Sequence, residues 1–72
     1  MSFGTNPHVA KAEAAEQKAL DAQDDSARTQ AWIEAGRLWE RAADREKDAK
    51  RRALYTEKSE AARATADAPP PG

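Results

Sequence analysis

The feature that most constrains this chain is a stripe of aromatic and small residues at helical spacing in its middle. The stripe occupies positions i, i+3, i+4, i+7 and i+11 of one helix, with Trp32, Ala35, Gly36, Trp39 and Ala43. Ile33 and Leu38 lie on opposite flanks of this stripe, so apolar residues cover more than one face of the helix. We therefore predict a helix over residues 26–43 that has neighbours on two sides, preceded by capping residues at 24–26.

A helix is also predicted before the tryptophan stripe, over residues 7–23. Asn6 can cap this helix and Pro7 suits its first position, where a missing N–H costs nothing. At 100° per residue, Val9 and Leu20 point within about 20° of each other. This apolar face is shallow, and we expect Leu20 to lie in the core.

A third helix is predicted over residues 47–66, although no Gly or Pro separates it from the tryptophan helix. Composition alone would permit one helix from residue 27 to residue 65. The later apolar face contains Leu54, Tyr55 and Ala62, and it points about 120° away from an extension of the Trp32/Trp39 stripe. This change of phase predicts a break near residues 44–47.

Together these elements predict an all-α fold, a three-helix antiparallel bundle over residues 7–66. A flexible segment is expected at 1–6 and a disordered Pro-rich tail or linker at 67–72. A chain of 72 residues makes one domain with a thin core, because it buries only about 60% of its unfolded surface. The predicted core consists of Leu20, Trp32, Ala35, Gly36, Trp39, Ala43, Leu54, Tyr55 and Ala62.

The residues needed for catalysis or metal binding are scarce. Cysteine is absent, and the single histidine, His8, has no partner at metal-ligand spacing. The serines have no histidine base other than His8, and no glycine-rich phosphate loop is present. We expect no enzyme activity, no catalytic residue, no cofactor and no metal.

Charge and hydropathy argue against two further classes of partner. The 12 basic and 13 acidic residues are interleaved and leave a net charge of -1. The most basic stretch, residues 47–52, is expected to be a solvated helix face rather than a nucleic-acid site, since no aromatic residue accompanies it for base stacking. No apolar run approaches the roughly 18 residues that span a bilayer. We expect a soluble, cytoplasmic protein without membrane insertion.

Two segments resemble the MIT domains, which are microtubule-interacting and trafficking modules. Residues 32–42, WIEAGRLWERA, resemble the aromatic-x-Glu-Ala-x-x-Leu-aromatic-x-x-Ala run of the middle MIT helix. Residues 55–60, YTEKSE, resemble the closing Tyr-Leu-x-Arg-Ala-Glu pattern, with Thr56 where that pattern has leucine. The resemblance implies a three-helix bundle that binds tail motifs of ESCRT-III-type filament proteins, as an adaptor with a helix-in-groove binding mode.

The same resemblance implies a partner groove between the second and third helices. Its lining would be Leu38, Thr56, Ser59, Glu60 and Arg63, with Glu60 at the acidic position that pairs with a basic residue of the bound motif.

Two alternatives to the MIT-like adaptor follow from the residues. Trp32, Gly36 and Trp39 also match the Trp, Gly and Tyr positions of a tetratricopeptide helix, which would indicate a scaffold of helical hairpins. The missing Gly or Pro near residue 44 leaves open a self-associating helical hairpin that forms a homodimer through the tryptophan stripe.

Overall fold

The computed structural model describes residues 6–68, which form three α-helices and no strand. They are α1 (Pro7–Asp21), α2 (Asp25–Arg45) and α3 (Ala49–Asp67). The predicted all-α, antiparallel three-helix architecture is confirmed. The predictions for residues 1–5 and 69–72 lie outside the described residues. Within the described part, no helix is both long and apolar enough to cross a bilayer.

The start of α1 is fixed by Asn6 in two ways. Its side-chain oxygen accepts a hydrogen bond from the His8 backbone N–H at 3.0 Å, and Pro7 occupies the first helical position. Its side-chain amide donates to the Ala42 carbonyl at 2.9 Å. Asn6 therefore caps α1 and also ties the N-terminus of α1 to the C-terminal part of α2.

The break between α2 and α3 occurs without glycine or proline. Polar side chains form hydrogen bonds with backbone groups at the end of α2 and at the start of α3. Glu46 is extended, with φ -86° and ψ 129°. Asp48 caps α3 by accepting from the Arg51 N–H at 2.9 Å. The Arg52 guanidinium donates to the Glu46 carbonyl at 2.9 and 3.1 Å. These bonds satisfy backbone groups that an uninterrupted helix would have paired internally.

The helices lie side by side with α2 in the middle. Helix α2 packs against both neighbours, whereas no Cα atom of α1 lies within 8 Å of one in α3 across the described residues. The Cα atoms extend 43 × 22 × 13 Å, and 22 Å is the width expected of three helices spaced about 9 Å apart in one layer. Such a layer leaves two broad faces of α2 uncovered by its own neighbours.

The core consists almost entirely of alanine. Among residues 6–68, eight of the nine buried apolar residues are alanines and the ninth is Trp39, which is 1% exposed. These residues are Ala12, Ala15, Ala19, Ala31, Ala35, Trp39, Ala42, Ala43 and Ala62. Small side chains let the helix backbones approach closely, so the layer is held by close helix contact around a single large aromatic.

Several predicted core residues lie elsewhere. Leu20 is 69% exposed and Leu54 is 46% exposed, so their placement in the core is wrong. Trp32 and Tyr55 are only partly buried against the core. The buried stripe of α1 passes through Ala19 and that of α3 passes near Tyr55. One residue turns a helix by about 100°, so the neighbouring leucines rotate out to the surface.

Candidate binding surfaces

Helices α2 and α3 approach each other closely at Gly36. The buried Ser59 hydroxyl donates to the Gly36 carbonyl at 2.9 Å. A Cβ atom on Gly36 would lie 3.1 Å from the Arg63 Cγ and 3.4 Å from the Ser59 carbonyl oxygen. Ser59 was predicted to line a partner groove, and this is wrong: it is 5% exposed and joins the two helices.

An open groove of about 320 Å³ lies between α2 and α3, and we call it the α2–α3 groove. Its lining consists of Ile33, Arg37, Arg63, Ala66 and Asp67. Ile33 is 41% exposed. The Arg63 guanidinium bonds the Glu40 carboxylate across the two helices at 3.0 Å. The groove thus combines one exposed aliphatic side chain with charged groups of both signs.

Three of the groove residues implied by the MIT resemblance share one flank of α3. Arg63 lines the α2–α3 groove, and Glu60 and Thr56 precede it by three and seven residues. At 3.6 residues per turn these spacings return to the same side of a helix. Thr56 and Glu60 are both exposed, so this flank is open to a partner.

Leu38 does not belong to that groove, which corrects the prediction. It is partly buried and lines a separate groove of about 290 Å³ between α1 and α2. The other lining residues are Lys11, Ala14, Ala15, Lys18 and Glu34. Leu38 is two residues from Gly36, or about 160° around the helix. A residue on the α3 side of α2 and one on its α1 side cannot form walls of one groove.

The opposite side of the layer is organised around Trp39. The indole Nε1–H donates to the Glu16 carboxylate of α1 at 2.7 Å. From α3, the Tyr55 ring lies 5.5 Å away with an interplanar angle of 31°, and the Lys58 Nζ sits 5.1 Å from the indole ring centroid. One side chain of α2 is therefore covered by polar and aromatic groups from both neighbouring helices.

Further residues extend this surface along each helix. Leu20 follows Glu16 by four residues, Leu54 precedes Lys58 by four, and Trp32 precedes Trp39 by seven. Val9 and Glu13 precede Glu16 by seven and three residues, and Arg51 precedes Lys58 by seven, so helical spacing places them on the same side. We call this surface the Trp39 face and define it by Val9, Glu13, Glu16, Leu20, Trp32, Trp39, Arg51, Leu54, Tyr55 and Lys58. It carries two of the three large apolar side chains described as exposed, while Ile33 lies in the α2–α3 groove.

Sequence reasoning missed the roles of Glu16 and Ile33. Glu16 interrupts the apolar face of α1, where its carboxylate accepts a hydrogen bond from the indole N–H of Trp39. The two residues lie on different helices, so their spacing along the chain does not predict this pairing. Ile33 was recognised as a flank of α2 but was not assigned to the α2–α3 groove. Its position four residues before Arg37 is the signal that could have placed it there.

The interactions observed at these surfaces are packing contacts, hydrogen bonds and ion pairs. Among residues 6–68, no group of three His, Asp or Glu side chains is arranged to hold a metal ion. His8 is partly buried near the start of α1, and the Ser59 hydroxyl is engaged by a backbone carbonyl. Comparison with known protein families, curated proteins and solved structures gives no match for this chain.

Proposed function

We propose that this chain is a non-catalytic protein-interaction module of MIT-like type. It binds a short helical or extended segment of a partner protein in the α2–α3 groove. The observation that supports this most directly is the exposure of Ile33, a large aliphatic side chain, in an open groove. The core of the protein consists mostly of alanine instead. A groove that receives an amphipathic segment offers apolar side chains to the apolar face of that segment.

The charges around the groove specify the bound segment. An apolar side chain of the partner packs on Ile33, and a carboxylate beside it meets Arg37 and Arg63. Glu60, one turn from Arg63 on the same flank, pairs with a basic residue, as the MIT resemblance implies. A segment that alternates basic, apolar and acidic groups fits this surface, and tail motifs of ESCRT-III-type filament proteins are our first candidates.

Thr56 lowers the expected affinity for such motifs. A leucine at this position would offer a partner about 1.5–3 kcal/mol of apolar burial, which threonine does not provide. Because this chain lacks the leucine of the MIT pattern, we expect its binding to depend mainly on Ile33 and on charge pairing. A tetratricopeptide-like scaffold remains the alternative within the same interaction class.

The proposal is tested by titrating the chain into labelled ESCRT-III-type tail peptides and measuring fluorescence anisotropy. We expect saturable binding that Ile33→Glu and Glu60→Lys each weaken by about tenfold or more, the scale of a buried contact at an interface. Leu54→Glu is the matched control, because it introduces the same charge at a similarly exposed residue on the Trp39 face. Absence of saturation, or equal losses in all three variants, contradicts binding in this groove.

A further inference from the structure

We propose that the Trp39 face is the contact surface of a two-fold symmetric dimer of this chain. The face is distinct from the α2–α3 groove, so this proposal stands apart from the proposed peptide binding. Leu20 and Leu54 project from it with 69% and 46% exposure, and Trp32 lies between the outer helices only partly buried. The large apolar side chains that could have filled a core thus lie at the surface.

The charges on the two edges of the Trp39 face indicate that a second copy of this chain binds there. The α1 edge of the Trp39 face carries Glu13 and Glu16, whereas Lys11 and Lys18 of the same helix line the groove on the opposite side. The α3 edge carries Lys58, whereas Arg51 at the same edge is already paired with Glu46 at 3.7 Å and with Asp48 at 4.0 Å. The α1 edge is therefore acidic and the α3 edge presents Lys58, so the face is complementary to itself after rotation.

The charges also select the symmetry axis. A two-fold axis parallel to α2 places α1 of each copy over α3 of the other, so Glu13 and Glu16 meet Lys58 of the second copy. An axis perpendicular to the helices would place α1 over α1, which brings like charges together. With the parallel axis the same patch is used by both copies, as a closed dimer requires.

The parallel axis also brings apolar residues of the two copies together. Asn6 of α1 lies beside Ala42, and Tyr55 lies beside Trp39, so Val9 and Leu54 are both near the level of Trp39 in the antiparallel layer. In the dimer Leu54 faces Val9 of the second copy. Trp32, on the central helix, faces its own counterpart across the axis.

The dimensions of the face match those of a stable interface. The three-helix layer extends 43 × 22 Å between Cα atoms, and the Trp39 face is one of its two broad sides. A standard interface buries about 800 Å² per partner, which this face can supply. A chain this small with an alanine core also has little apolar burial of its own, and oligomerisation is a common source of additional stability in domains of this size.

The first test is sedimentation equilibrium of the full chain over a concentration series. We expect a transition to a species of twice the 7.9 kDa chain mass, with tryptophan emission shifting to shorter wavelength as the dimer forms and Trp32 loses contact with water. A monomer throughout the series, or a species larger than a dimer, overturns the proposal. Peptide binding in the α2–α3 groove is measured separately and can succeed in either case.

The second test locates the interface with matched variants. Leu54→Glu should weaken dimerisation by about tenfold or more, because Leu54 faces Val9 of the second copy. Ile33→Glu, at a similarly exposed residue on the other face, should leave it unchanged. Circular dichroism of each variant confirms that the helices are retained. If Ile33→Glu disrupts the dimer and Leu54→Glu does not, the Trp39 face is not the interface.

The third test examines the symmetry axis by charge exchange. Lys58→Glu alone should weaken the dimer, because it faces Glu13 and Glu16 of the second copy. Adding Glu13→Lys in the same chain should recover part of the lost affinity, since each new lysine then meets a new glutamate. Failure of the double variant to recover any affinity overturns the parallel arrangement.

Discussion

Gly36 determines how closely α2 and α3 approach each other. It is buried in the middle of α2, where a glycine costs about 1 kcal/mol of helix stability relative to alanine. Its place is explained by the neighbouring helix: the Arg63 side chain and the Ser59 backbone occupy the space a side chain would need. The Ser59 hydroxyl then bonds the Gly36 carbonyl at this contact, so one small residue allows both packing and a hydrogen bond.

Replacing Gly36 tests this contact at the level of a single residue. Gly36→Leu should lower the free energy of unfolding by about 1–3 kcal/mol, because the larger side chain overpacks against the Ser59 backbone. Gly36→Ala is the matched control and should change it by less than about 1 kcal/mol, since the exposed Arg63 side chain can move while helix propensity improves. Urea denaturation measures both values. A leucine variant as stable as the alanine variant would contradict close packing at this position.

At the scale of the elements, capping rather than helix-breaking residues decides where each helix starts. Asn6, Asp24 and Asp48 each accept a backbone N–H from the first turn of their helix. All three are residue types that favour the N-cap because a short side-chain oxygen satisfies a donor left free by the helix. No glycine or proline stands between α2 and α3, so the Asp48 cap and the bonds of Arg52 to the Glu46 carbonyl mark the break.

Removing the N-cap of α3 should show how much it contributes to the free energy of unfolding. Asp48→Ala is expected to lower the free energy of unfolding by about 1 kcal/mol, because the Arg51 N–H loses its 2.9 Å acceptor. Asp44→Ala, an exposed carboxylate in the last turn of α2, is the control and should change stability by no more than about 0.5 kcal/mol. Thermal melts followed by circular dichroism compare the two. Equal effects would mean that the Asp48 bond contributes nothing.

At the scale of the whole molecule, Trp39 joins the three helices. It lies on the central helix and contacts Glu16 of α1 and both Tyr55 and Lys58 of α3. Because α1 and α3 do not approach each other directly, the two outer helices are coupled mainly through α2 and this side chain. The remaining core residues are alanines, each of which buries little apolar area.

Loss of Trp39 should therefore affect the entire fold. Trp39→Ala is expected to cost about 3–5 kcal/mol, the range found for truncating a buried aromatic. A domain of this length has a total stability of roughly 4–11 kcal/mol at about 0.05–0.15 kcal/mol per residue, so much of its stability disappears. Trp32→Ala, at a partly buried position, should cost less. Circular dichroism melts test this order, and a Trp39→Ala variant that melts close to the parent chain contradicts it.

The sequence by itself determined the helical class and the central position of the tryptophan helix. These follow from local causes: cap residues at fixed positions, helical periodicity, and a change of phase between the second and third apolar stripes. Part of the candidate groove was also foreseeable, since Thr56, Glu60 and Arg63 share one side of α3 at helical spacing.

Only the tertiary structure decided which side of each helix contacts a neighbouring helix. Periodicity gives the angle of a residue around its own helix, but not the direction in which a neighbouring helix lies. Leu38 therefore could not be assigned to α1 or α3 from its spacing alone. Leu20 and Leu54 were placed in the core because they are large and apolar, whereas close helix packing selected the adjacent alanine stripes. The hydrogen bond that Trp39 donates to Glu16 forms only because α1 and α2 lie side by side, which no local pattern reveals.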